Sequence, residues 1–97
     1  MTTVIQLEHS RAEGLTQYLD FTPQLASSET LIGQGCVVTH TPPSGTPVVV
    51  TPNLVGTLVR VPIPDDLVLG VHRFSCVATT TDVQNTPEIL LIITVLR

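Results

Sequence analysis

The chain has 97 residues, enough for one compact domain with a single modest core and too few for a domain pair. Hydrophobic residues make up 42% of it and charged residues only 12%, which excludes a disordered, solvating chain. Its net charge is -4, and with no lysine the only strong bases are Arg11, Arg60, Arg73 and Arg97, so neither nucleic acid nor an anionic membrane is expected as a partner.

Val, Ile and Thr occupy 35 of the 97 positions, residues whose branched Cβ suits the pleated backbone, while Ala, Lys, Glu, Gln and Met are scarce. An all-β chain is predicted. Residues 1–17 read as an N-terminal extended arm, with Thr2 to Leu7 able to run straight, and residues 18–97 as the folded domain. The polar residues Gln6, Glu8, His9, Arg11 and Glu13 break any secretory leader pattern, and the apolar run Ile89 to Ile93 is far too short to span a bilayer.

Tyr18 to Thr22 reads as a short strand stopped by Pro23, which has no N–H for a ladder. Thr30 to His40 is the next, with Gly33 and Gly35 marking a bulge or a close approach of backbones. Thr41-Pro42-Pro43-Ser44-Gly45 is a turn. Pro47 to Thr51 and Leu54 to Ile63 follow as strands separated by Pro52-Asn53, and Pro62, Pro64 and Asp65-Asp66 close the second. Gly70 to Thr81 and Glu88 to Leu96 complete the set.

Short strands joined by Pro- and Gly-rich turns predict an antiparallel sandwich or a small barrel, and the sandwich is favoured: a single domain of about seven strands, expected on an immunoglobulin-like plan. Side chains alternate along Gly70 to Thr81, which puts His72, Phe74, Cys76 and Ala78 on the core face. The predicted core adds Tyr18, Phe21 and Cys36. On an immunoglobulin-like plan Cys36 and Cys76 meet across the two sheets, bonded or as free buried thiols.

The chemistry-bearing residues are dispersed. His9, His40 and His72 show neither HxH nor HExxH spacing, and the two cysteines form no CxxC, so no metal site is expected. His9-Ser10 lies in the arm without the support a nucleophile needs, and Asp65-Asp66 is explained by a turn. Gly33-Gln34-Gly35 lacks the strand-then-helix context of a nucleotide loop. With no tryptophan and one tyrosine there is no stacking platform for sugars. No catalytic residue and no cofactor are assigned, and the chain is expected not to be an enzyme.

An excess of apolar surface remains. Along the last strand Ile89, Leu91, Ile93 and Val95 form one face and Leu90, Ile92 and Leu96 the other, whereas a half-exposed strand alternates with polar residues. Val37-Val38 and Val48-Val49-Val50 repeat the pattern. Either the domain's own loops or arm cover the second face, or it is a protein interface that includes Leu90, Leu91, Ile92, Ile93 and Val95.

The succession Tyr18-Leu19-Asp20-Phe21-Thr22, a loop to Leu25, Glu29-Thr30-Leu31-Ile32, then Gly70 to Asp82 with its Thr79-Thr80-Thr81 tail and a final apolar strand resembles the fiber-tail adaptor family of tailed-bacteriophage virion proteins. The resemblance spans residues 16 to 97. The sequence departs from the family in having Leu25 near the place of a tryptophan, and in the two apolar faces of its last strand. The resemblance implies a non-enzymatic virion subunit, assembled in the host cytoplasm, that links fibers or spikes to the tail or baseplate. Its implied partners are other virion proteins, in a homo-oligomeric or multi-copy setting, with Val4, Ile5 and Leu7 of the arm joining the interface. The alternatives are a capsid decoration protein bridging capsid subunits and an immunoglobulin-like receptor- or glycan-binding module.

Overall fold

The computed structural model describes residues 2–9, 15–25, 29–64, 67–81 and 87–96. Among the described residues eight strands run in chain order: β1 (Thr2–His9), β2 (Leu15–Asp20), β3 (Leu31–Thr41), β4 (Val48–Val50), β5 (Asn53–Val55), β6 (Leu58–Ile63), β7 (Gly70–Thr80) and β8 (Glu88–Val95), with one 3₁₀ turn at Thr22–Gln24. They form two packed sheets, one of five strands in the order β1-β8-β7-β3-β4 and one of three in the order β2-β6-β5. The all-β sandwich follows from the β-branched composition and the turn spacing that the sequence displays.

Three features differ from the sequence reading. First, Leu54 to Ile63 is a hairpin rather than one strand: Val55 pairs with Leu58 around Gly56-Thr57. Gly56 has φ +63° and Thr57 does not have a positive φ, so only the first loop position is left-handed, as a two-residue type II′ turn requires. Pro62 lies beyond the reach of β5, where β6 has a neighbour on one side only and a missing N–H is tolerated.

Second, the N-terminal segment is built into the sandwich. β1 runs parallel to β8 from Thr2↔Glu88 to His9↔Val95, the one parallel pair in an otherwise antiparallel sheet, and a boundary at 17/18 falls inside β2. Alternation gives the physical reason: Ile5 and Leu7 share the inner side of β1 and pack against the core, enough to hold an edge strand in place.

Third, Cys36 and Cys76 do not face each other from opposite sheets. Both lie in the five-stranded sheet on neighbouring strands, where Cys36 opposes Ala78 and Cys76 opposes Val38. They are diagonal neighbours, a placement of roughly 7–8 Å between Cα atoms against the 4.4–6.8 Å that a disulfide usually spans. Both are free and buried. The Cys76 thiol, hydrogen-bonded to Cys36 and sunk in an apolar interior, is pushed far above the ordinary thiol range.

The core lies between the sheets: Leu19, Val59, Val61 and Ile63 from the small sheet meet Cys36, Val38, Phe74, Cys76, Ala78, Ile89, Leu91, Ile93 and Val95 from the large one, with Phe21 and Leu67 closing it. Six of the seven expected core residues are buried, Phe21, Cys36, His72, Phe74, Cys76 and Ala78. Tyr18 is the exception, 55% exposed on the outside of β2. Leu19 faces inward, so its neighbour must face outward, and Phe21, two residues on, stays on Leu19's side as the chain enters the 3₁₀ turn.

At Gly35 the two sheets come close together. The β3–β7 register slips between Leu31 and Cys36, and there Gly35 adopts φ +90°, with the place of a Cβ only 2.6 Å from Val59 Cγ2. The expected bulge and close approach are both present.

Candidate protein interface

Register decides which residues share a surface. On the outer side of the five-stranded sheet, β1 places Val4, Gln6 and Glu8 beside Leu90, Ile92 and Thr94 of β8. Next come Val71, Arg73, Ser75 and Val77 of β7, then Val37, Thr39 and Thr41 of β3, then Val49 of β4. Val49 is 74% exposed, Val37 56% and Val4 52%, and Val71 is exposed as well, while Leu90, Ile92 and Val77 are half-buried between them. Thr and Ser fill most of the gaps. The charged members are Arg73, Glu8 and Glu88, and Glu88 Oε2 accepts a 2.9 Å hydrogen bond from Ser75 Oγ.

The outer side of the small sheet has a different character. Thr16, Tyr18 and Asp20 of β2 stand beside Leu58, Arg60 and Pro62 of β6 and Asn53 and Val55 of β5. Asp20 accepts a hydrogen bond from the Thr22 amide at 2.9 Å, and hydrogen bonding to Thr22 holds its carboxyl below the usual carboxylate range. That face is mixed, with Tyr18 and Val55 exposed among polar and charged neighbours.

Of the expected interface residues, Val4, Leu90 and Ile92 therefore lie together on the outer apolar face. Leu91, Ile93 and Val95 do not: their exposures are 0–2%, because the inner face of β8 is core. Ile5 and Leu7 likewise pack inward. Reading both faces of β8 as one surface merges two that alternation separates. Val37, Val49, Val71 and Val77 complete the patch, and only the strand order brings them to Leu90.

The face carries relief. A hollow of about 370 Å³ is lined by Gln6, Leu7, Glu8, Val71, Ile92 and Thr94. A second, of about 450 Å³, lies between Thr41, Pro42, Pro43, Val71 and Arg73. Val71 is the ridge between them. A third hollow, about 340 Å³, opens at the far end between Thr22, Leu25, Glu29, Thr30, Leu31 and the Gly56-Thr57 turn. Its one ionisable group, Glu29, accepts a 2.7 Å hydrogen bond from Thr80 Oγ1.

The histidines form a cluster that the sequence does not announce. His40 and Phe74 oppose each other on β3 and β7, and their rings stack 4.3 Å apart. His40 Nε2 lies 2.8 Å from His72 Nδ1, and His72 Nε2 lies 2.7 Å from Val68 O. A carbonyl only accepts, so His72 donates from Nε2 and receives His40 Nε2–H at Nδ1. The chain of bonds pins the Val68 segment to the sheet, with His72 1% exposed. Burial, and secondarily the neighbouring His72, pull His40 below the ordinary histidine value. Among the described residues no three His, Cys, Asp or Glu side chains gather to hold a metal. The side chain of His9, together with Ser10, Asp65 and Asp66, lies outside the described residues.

Gln24 is a further residue that the sequence reading passes over. Its Nε2 donates to Thr3 Oγ1 at 3.1 Å and to Glu88 O at 3.2 Å, and its Oε1 accepts from Glu88 N at 3.2 Å. One amide thus reads both backbone groups at the start of β8 and fastens β1 beside it. No protein-family model, curated protein or solved structure matches the chain.

Proposed function

We propose that the chain is a non-enzymatic assembly subunit that docks on a neighbouring protein through the outer face of its five-stranded sheet. The observation that carries this reading is the run of seven aliphatic residues, Val4, Val37, Val49, Val71, Val77, Leu90 and Ile92, on the outer face of the large sheet, whereas the outer face of the small sheet intersperses Tyr18, Val55, Leu58 and Pro62 with Thr16, Asp20, Asn53 and Arg60. Water-exposed apolar residues in one contiguous patch gain by association, whereas scattered ones do not. Taken with the resemblance of residues 16–97 to fiber-tail adaptors, the neighbour is a tail, baseplate or fiber protein of a tailed-phage virion. The sandwich is then of the immunoglobulin-like kind, a rigid spacer with a sticky side.

Immunogold labelling of the virions that encode the chain tests this. Gold at the tail end is expected. Gold spread over the head would replace the adaptor reading with capsid decoration, and absence of the chain from purified particles, checked by mass spectrometry, would overturn the virion reading.

A further inference from the structure

A sandwich of two open sheets has four edges, and each edge offers unpaired N–H and C=O groups to any extended chain. Two are blunted here and a third is shorter than β1. β4 and β5 are three residues each, with Pro47 before the first and Pro52 between the two, and β2 is six residues, with Asp20 at its end before the chain turns at Phe21. β1 is different: eight residues, Thr2–His9, without proline, glycine, lysine or arginine, and with Glu8 as its one carboxylate. Its ladder to β8 uses one side only, since β1 is terminal in the strand order.

We propose that β1 is the seam of a two-fold dimer, in which two copies of this chain pair β1 with β1 antiparallel and merge their five-stranded sheets into one of ten. The strand is self-complementary. Its inner residues are Thr3, Ile5 and Leu7 and its outer ones Val4, Gln6 and Glu8, so a continuous sheet requires odd positions opposite odd and even opposite even. A two-fold axis at Ile5 meets that condition: Ile5 faces Ile5 on the core side, Thr3 faces Leu7, Val4 faces Gln6, and Glu8 faces Thr2. No like charges are opposed, which a cross-strand pair needs. Ile5 and Leu7, only half-covered at an edge, gain apolar neighbours.

A second copy fits better than a foreign strand because the two-fold arrangement uses both open edges at once. The contact is isologous, the same strand on both copies, so it closes at two instead of growing into a fibre. The outer apolar faces of the two copies become one surface across the seam, through Val4, Leu90 and Ile92. The inference concerns the edge, and it stands whichever component that surface meets.

Sedimentation velocity with amide hydrogen exchange on the intact chain tests it. A dimer mass is expected. Every amide from Thr3 to Glu8 is expected to be protected at high concentration, with alternate ones losing protection on dilution, because successive N–H groups of a strand point to opposite neighbours. Gln6→Pro and Leu7→Pro then separate seam from fold: one of the two removes the donor facing β8, and the other, lacking only the outward N–H, is expected to stay folded with half the mass. A monomer up to the solubility limit overturns the proposal. So does a dimer in which the outward β1 amides exchange as freely as in dilute solution, an outcome readable even if both proline variants unfold.

Discussion

Gly35 and His40 show how much rests on single positions. An alanine at 35 would have to hold a left-handed φ, which costs an L residue about 1–2 kcal/mol, and push its methyl into Val59, where overpacking costs about 1–3 kcal/mol. Gly35→Ala is expected to lower stability by about 2–5 kcal/mol in denaturant unfolding; a loss below about 0.5 kcal/mol would show that the sheets give way there. For His40, burial favours the neutral ring, so its pKa is lower folded than unfolded and the unfolded chain binds the extra proton first. Stability is therefore full above the ordinary value of 6.5 and falls as pH drops from there toward the depressed value. His40→Gln should flatten that decline relative to wild type in melts across the same pH range. An unchanged slope would remove His40 as its source.

Among elements, β8 carries the most information. Its alternating burial explains why hydrophobic residues occupy every position but two: the inner four make the core and the outer ones belong to the exposed face. Leu91→Lys buries an uncompensated charge at a fully buried site and is expected to abolish cooperative unfolding, while Leu90→Lys, on the outer side, should leave melting intact and weaken association. Equal effects of the two would contradict the division of faces. Gln24 ties this strand to β1, so Gln24→Ala is expected to speed amide exchange in β1 while β3 and β7 keep their protection. Uniform acceleration would mean that Gln24 supports the whole fold instead.

What was legible in the sequence follows from the range of each signal. The core face of β7 and the bulge at Gly35 are local patterns, set by period-two alternation or by glycine, and they stand as read, whereas the strand expected over Tyr18 to Thr22 lies at Leu15–Asp20, with Phe21 and Thr22 already in the 3₁₀ turn that Pro23 favours. Tyr18 was misplaced although the same alternation forbids it a side shared with Leu19. The pairing of β1 with β8, the joining of His40 to His72 across 32 residues and the gathering of Val37, Val49, Val71 and Leu90 depend on strand order and register, which no local pattern encodes.

Taken whole, the molecule has a mixed face on the small sheet, a face rich in valine and leucine on the large one, and its longest edge strand among the described residues at β1. That polarity is the central claim, and Val37 and Val49 test it most directly because both are well exposed and neither is part of the core. The measurement is binding of the Val37→Lys/Val49→Lys double variant to the native assembly, with its thermal melt recorded alongside. The melt is expected to match wild type within the scatter usual for surface substitutions, about 0.5 kcal/mol, and incorporation to be lost. A variant that folds normally and still takes its place in the assembly would contradict the account.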